Sequence, residues 1–204
     1  MTAYQGFDVL EVEPNWRDGV ESTYRRSWLR FDPGTGKVRV DDRTGITALD
    51  NSFSWFMENR IAVAEFRAFV AARKGAAVPF WFPSWRSDLQ LRTNAGAIDT
   101  VLTIDAIGFT KYLFPQAARR FLAFILSDGT KIFREIVNAS DPGDGVSETI
   151  TLDSAPGVAL PAASTLVCFL LLCRLESDEV KIQWHTTSVA EASLEFRDIP
   201  REVP

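Results

Sequence analysis

Few side chains in this chain of 204 residues can do covalent or acid–base chemistry at neutral pH, and their spacing limits which chemistry that could be. His185 is the single histidine, so a Ser/His/Asp or Cys/His nucleophilic site would have to be built on it. It falls on the polar side of an alternating segment, where a solvated or interface imidazole is expected. No Gly-x-Ser-x-Gly turn is present to expose a serine nucleophile. A glycine-rich phosphate loop ending in Lys-Ser/Thr is missing as well. Cys168 and Cys173 lie five residues apart in one apparent strand, on opposite faces and about 16 Å apart at strand rise. A disulfide needs Cα atoms within about 7 Å, and the spacing matches no zinc pattern. Two reduced, buried thiols are expected.

Asp141, Asp144 and Glu148 surround the run Asp141-Pro142-Gly143-Asp144-Gly145. They could bind calcium loosely or simply make a turn, since the Asp-x-Asp-x-Asp-Gly order is lacking. The paired carboxylates of a glycosidase would be assembled by the fold and leave no local mark. The expectation is therefore a protein that is not an enzyme and carries neither cofactor nor metal. The distinctive segment is 79–91, with Phe80, Trp81, Phe82 and Trp85 close together. Exposed faces of Trp81 and Trp85 could stack on sugars, as in a carbohydrate-binding β module. Alternatively, a strand returning from a helix plugs its aromatics into the space beneath that helix. Alternation sends Phe80 and Phe82 to one face and Trp81 to the other, so both readings stand.

The elements that must position these residues are mostly strands. Alternating or aromatic-rich segments occur at Phe7–Glu13, Thr23–Phe31, Lys37–Asp41, Ile46–Phe56, Val78–Trp85 and Thr100–Asp105. More follow at Arg120–Ser127, Lys131–Asn138, Glu148–Asp153, Ser164–Leu175, Glu179–Thr186 and Ala190–Asp198. In the last of these Ala192, Leu194 and Phe196 alternate with Ser193, Glu195 and Arg197, a half-buried strand. Leu166–Leu172 is apolar throughout, which predicts burial on both faces. Turn residues separate the strands, as at Asp32-Pro33-Gly34, Asp42-Arg43-Thr44-Gly45 and Asp128-Gly129.

One segment has helical period. Around Phe66, at 100° per residue, Ala62, Val63, Phe69 and Val70 fall on one stripe, while Arg60, Arg67 and Lys74 share another side. Asn59 suits the N-cap, Arg73 and Lys74 suit the negative C-terminal end, and Gly75 suits the left-handed position after it. The predicted fold is mainly β, sandwich- or barrel-like, with this helix (about 59–74) laid across it. The small-residue stretches Arg92–Ala97 and Pro156–Ala163 read as linkers. They predict a main β domain of 1–92 plus 164–204 and a small inserted β domain at 93–163.

Composition narrows the function classes. Hydrophobic residues are 46% and charged residues 24% of the chain, values of a globular protein with a core. Twenty-seven acidic residues against 22 Lys and Arg argue against nucleic-acid binding, which needs a basic footprint. The longest apolar run, Leu166 to Cys173, is well short of the ~20 residues of a membrane helix. Met1 to Pro14 lacks a cationic region followed by an apolar one, so an unexported product is expected.

Two segments carry a resemblance. The helix ending in Ala72-Arg73-Lys74-Gly75, the strand Phe80-Trp81-Phe82 and the turn Trp85-Arg86-Ser87-Asp88 resemble the helix-plus-aromatic-strand segment of distal tail proteins. These occur in siphophages and in phage-derived gene transfer agents. The closing strands, from Ser177 to Pro200, are also similar to those of such proteins. The resemblance implies a structural virion protein, made in the host cytoplasm and located at the tail tip. There it would form a homo-oligomeric ring, usually a hexamer, contacting the tail tube protein, the tail hub protein and the tape-measure protein. The family carries no catalytic residues to transfer. Ring contacts of this kind are heterologous, and the expected interface sets Arg60, Arg67 and Lys74 against an acidic C-terminal region of a neighbour (Glu191, Glu195, Asp198, Glu202).

Overall fold

The computed structural model describes residues 2–16, 21–26, 28–34, 36–42 and 47–204. Arg43, Thr44 and Gly45 of the expected turn, Ile46 at the start of the expected strand, and Ser27 lie outside the described residues. The protein is mainly β, with 44% of residues in strands and 11% in helices. No helix among the described residues is long and apolar enough to cross a membrane.

The strands are β1 (Ala3–Tyr4), β2 (Phe7–Asp8), β3 (Glu21–Arg25), β4 (Trp28–Phe31), β5 (Arg39–Asp42) and β6 (Ala48–Met57), followed by α1 (Arg60–Arg73). Then come β7 (Phe80–Pro83), β8 (Val101–Asp105), β9 (Phe121–Ile125), β10 (Lys131–Ser140), β11 (Ser147–Leu152), β12 (Leu166–Leu175), β13 (Ile182–Trp184) and β14 (Ala190–Asp198). The expected strand Phe7–Glu13 is only β2, continued by Val9 in a parallel bridge to Trp81. A π-helical turn at Phe109–Leu113 has no counterpart in the sequence reading.

The chain forms two compact units. One comprises Met1–Val12, Phe80–Leu172 and Arg201–Pro204, the other Glu13–Pro79 and Cys173–Pro200. These divisions differ from the expected 92/93 and 163/164, for a reason visible in the ladders. The aromatic strand β7 pairs with β12, and Leu89 and Leu91 bridge to Val167 and Ile104. The supposed linker is itself knitted in, with the Arg92 N–H donating to the Thr103 carbonyl at 2.9 Å and Ala95 bridging Leu160.

In the first unit, antiparallel neighbours run β8–β11–β10–β9–β12. A register shift between Ile136 and Asn138 lets the first half of β10 pair with β9 and the second with β11. As the unbroken apolar run predicts, Val167 to Leu172 are buried without alternation.

In the second unit, β6 pairs with β14 from Ala190↔Met57 to Arg197↔Asp50, and β3 lies on the far side of β6. Ala192, Leu194 and Phe196 are buried while Ser193 and Glu195 face outward, the alternation the sequence predicts. Helix α1 covers the buried face, with Phe66 against Trp55 at 5.8 Å between ring centroids. Asn59 caps it, accepting the Ala62 N–H at 2.9 Å. The other end departs from expectation. Lys74 is itself left-handed (φ 51°). Gly75 is left-handed too (φ 65°), at a place where a Cβ would meet the Asp178 carboxylate. Arg73 turns inward and is 1% exposed. Its Nη1 donates to the Pro79 carbonyl at 2.9 Å, and its guanidinium lies 4.8 Å from the Phe69 ring centre.

Val63, Phe66 and Phe69 are buried, with Ala62 and Val70 at the stripe's half-buried margins. Replacing Phe66 by alanine should therefore destabilise the protein by about 3–5 kcal/mol through the cavity it leaves. Chemical denaturation measures this, and a change below about 1 kcal/mol would contradict the packing described.

Candidate functional site

The candidate catalytic groups do not converge. His185 Nε2 lies 3.3 Å from Glu191 Oε2, and its ring stands 6.1 Å from Phe56, with no nucleophile among the described residues paired to it. Burial pushes the Cys168 thiol up to about 12, so it stays protonated, with Sγ 3.6 Å from the Ala123 carbonyl. Cys173 is also buried and outside any disulfide.

The carboxylates named for a loose calcium site hold main-chain groups of their own unit. Asp141 and Asp144 accept N–H bonds of their own turns, from Gly143 at 2.7 Å and from Val146 at 2.7 Å. Glu148 is buried and accepts the N–H groups of Ile107 (3.0 Å), Phe109 (2.9 Å) and Thr110 (2.6 Å). It anchors the start of the π-helical turn. Among the described residues, no three carboxylate, imidazole or thiol groups gather as a metal site.

The aromatic platform is overturned. Phe80, Trp81 and Phe82 are 0% exposed and Trp85 is 9% exposed, so none offers a ring face to a sugar. Trp81 Nε1 donates to the Tyr4 carbonyl at 2.9 Å, and its ring packs on Phe121 at 4.9 Å. These side chains, like Phe66 and Phe69, are core. After β7 the chain leaves the ladder at Trp85, a left-handed residue (φ 54°), a conformation that costs a non-glycine residue about 1 kcal/mol. It returns at Asp88, whose side chain occupies the place of a strand residue. The Asp88 carboxylate accepts the Phe169 N–H at 2.8 Å and the Ser84 hydroxyl. Burial raises its pKa, opposed by those two bonds and by Arg119 and Arg86.

What remains at the surface is suited to contact. Arg60, Arg67 and Lys74 are exposed, as expected, and make no ion pair with a described residue; Glu195 is exposed on β14. Two other acids of the expected interface are committed elsewhere. Asp198 is buried and accepts the Leu49 N–H, and Glu191 pairs with His185. The sequence reading placed strands at Thr23–Phe31 and Lys37–Asp41 around Asp32-Pro33-Gly34, but not that β4 and β5 make a separate ribbon with apolar residues exposed on both faces. The ribbon forms a two-stranded sheet of its own, on which Trp28 is 58%, Leu29 46%, Phe31 62% and Val40 62% exposed. The cross-strand register puts Trp28 and Val40 on one face and Leu29 and Phe31 on the other. The signal in the sequence was the apolar residues on both faces of a short hairpin around Asp32-Pro33-Gly34.

Compared with known proteins, the chain matches no family model, and no curated protein aligns with it.

Glu148 and the half-buried Asp88 should respond oppositely to pH. Burial would raise the Glu148 pKa, but the N–H bonds from Thr110, Phe109 and Ile107 together outweigh it and hold it below the ordinary value of 4.5. Its stabilisation is present above that value and lost as pH falls through the lower folded pKa. Glu148→Ala, which strands the buried Phe109 N–H and the part-buried Ile107 and Thr110 N–H groups, should cost about 3 kcal/mol, and Glu148→Gln should flatten the acid limb of stability against pH. Asp88 is raised, so its charge opposes folding at neutral pH, and that penalty disappears as pH falls toward 3.8. Asp88→Asn, which keeps the acceptor, should leave stability at pH 7 within about 1 kcal/mol of wild type or raise it. Asp88→Ala should lower it by about 2 kcal/mol. Urea titrations across pH check all three.

Proposed function

We propose that this chain is a structural virion protein, a ring-forming component of the distal tail that joins the tail tube to the hub or fibre apparatus. The observation that carries the reading is the β4–β5 ribbon. A two-stranded ribbon is marginal in water on its own, and one with Trp28, Leu29, Phe31 and Val40 exposed on its two faces gains most by being covered. A ring supplies that cover by repeating one heterologous contact until it closes. The resemblance of the helix, the aromatic strand and the closing strands to distal tail proteins points the same way. Among the described residues, the titratable groups make turns, anchors and core contacts and no convergent catalytic set. The partners that follow are further copies of this chain, with six as the family's usual number, the tail tube protein, the hub protein and the tape-measure protein.

Electron microscopy and mass measurement of the purified protein, from micromolar to millimolar, test the reading. Rings of fixed copy number, coaxial with the tube in the assembled tail, are expected. A protein that stays monomeric throughout and is absent from tail tips is not what we propose. The double variant Trp28→Ser, Phe31→Ser should weaken assembly at least about tenfold, a loss of 1.4 kcal/mol or more per contact, while leaving the unfolding temperature within a few degrees of wild type.

A further inference from the structure

The second unit contains a notch in its sheet that the ring reading does not itself require. Strand β14 has β6 along one side, but on the other side its pairing is interrupted. β12 pairs at Phe196–Asp198, and β13 at Ala190–Ala192. Between them, past the Glu176 N–H that donates to the Glu195 carbonyl at 2.9 Å, no described residue pairs with Ser193 or Leu194 from this side. The connection from Ser177 to Lys181 bows away there and leaves a cavity of about 520 Å³. Glu179, Glu191 and Glu195 line it, against a single ammonium, Lys181, together with Ser177 and Ser193.

These carboxylates do not gather as a metal site among the described residues. That geometry suits a long cationic side chain entering from outside, its charge meeting carboxylates and its stem lying against the half-buried Val180. The same unit exposes the complementary group. Arg60 and Arg67 are seven residues apart in α1, so the step returns to the same side of the helix within about 20°, and Lys74 follows seven residues on at its left-handed C-cap. None of the three forms an ion pair with a described residue. A heterologous contact needs two different, matching patches on one subunit, and here the acidic notch and the basic row are a matched pair.

We infer that the notch beside Ser193 is the receptor for the basic row of α1 from a second copy of this chain, with Arg67 the residue that enters it. The inference rests on the ring reading above and specifies its contact. Opposite charges seated in a cavity fix register and orientation and exclude wrong partners. The interface expected from sequence is thereby changed: Glu179 joins Glu195, while the buried Asp198 and the His185-paired Glu191 drop out.

Two charge-reversed variants test it, one Arg60→Glu with Arg67→Glu, the other Glu179→Lys with Glu195→Lys. All four positions are exposed, so near-ultraviolet circular dichroism should match wild type. Each variant alone should lose ring formation, with the association constant falling at least about tenfold. Mixed in equal amounts, they should restore it, because every contact in an alternating ring again joins opposite charges. If each variant alone forms rings as wild type does, or the mixture fails to restore them, this contact is overturned while the ring reading stands. If wild type forms no ring under any condition, both fall.

Discussion

A strand buried on both faces must have its main-chain N–H and C=O groups satisfied from both sides, because water cannot reach them. Strand β12 carries that constraint in the first unit. From Leu166 to Phe169 it pairs with β9 on one side. On the other it takes β7, and after β7 runs out at Pro83 the loop 84–89 must supply bonds that a strand would have made. The Ser84, Asp88 and Leu89 N–H groups donate to the carbonyls of Phe169 and Val167, and the Asp88 carboxylate accepts from Phe169 N–H. A left-handed Trp85 and a desolvated carboxylate are both unfavourable taken singly. They persist because the alternative is an orphaned amide in the core, worth about 1–3 kcal/mol.

The second unit meets a related demand with a cation. Helix α1 ends against the segment leading to Pro79, whose carbonyl lies inside. Arg73 folds back to donate to it while stacking on Phe69, and the neighbouring Lys74 and Gly75 turn the chain in the left-handed region. The motif Ala72-Arg73-Lys74-Gly75 therefore has a physical division of labour. Arginine satisfies a buried carbonyl, lysine remains in solvent, and glycine passes a carboxylate that leaves no room for a side chain.

Seen this way, the charged residues sort by what they already hold. Glu148, Asp88, Asp198 and Arg73 are occupied with main-chain groups inside their units, and Arg25, Asp50, Glu176 and Arg197 form an ion-pair cluster on the outer face of the sheet. The basic row of α1 and the notch carboxylates Glu179 and Glu195 lack such internal use, and so does the apolar surface of the β4–β5 ribbon. Those are the features from which an assembly role is inferred, and they lie on the unit built from Glu13–Pro79 and Cys173–Pro200.

The periodicities of this sequence were sufficient for most of the elements. A period of two places Ala192, Leu194 and Phe196 inside β14, a period of 3.6 places Val63, Phe66 and Phe69 under α1, and the unbroken run in β12 implies cover on both faces, because side-chain direction follows from backbone geometry alone. What the pattern could not convey is which distant groups meet. Asp88 reads as an ordinary polar turn residue until Phe169 is beside it. Glu148 reads as part of an acidic loop until the amides from Ile107 to Thr110 close around it, and Arg73 reads as a solvated end of a helix until Pro79 is underneath. The aromatics of 79–91 were ambiguous between platform and core for the same reason: alternation assigns faces but not what covers them. Those assignments belong to tertiary structure, because burial and hydrogen-bond partnership are properties of contacts between segments and only local geometry is written in neighbouring residues.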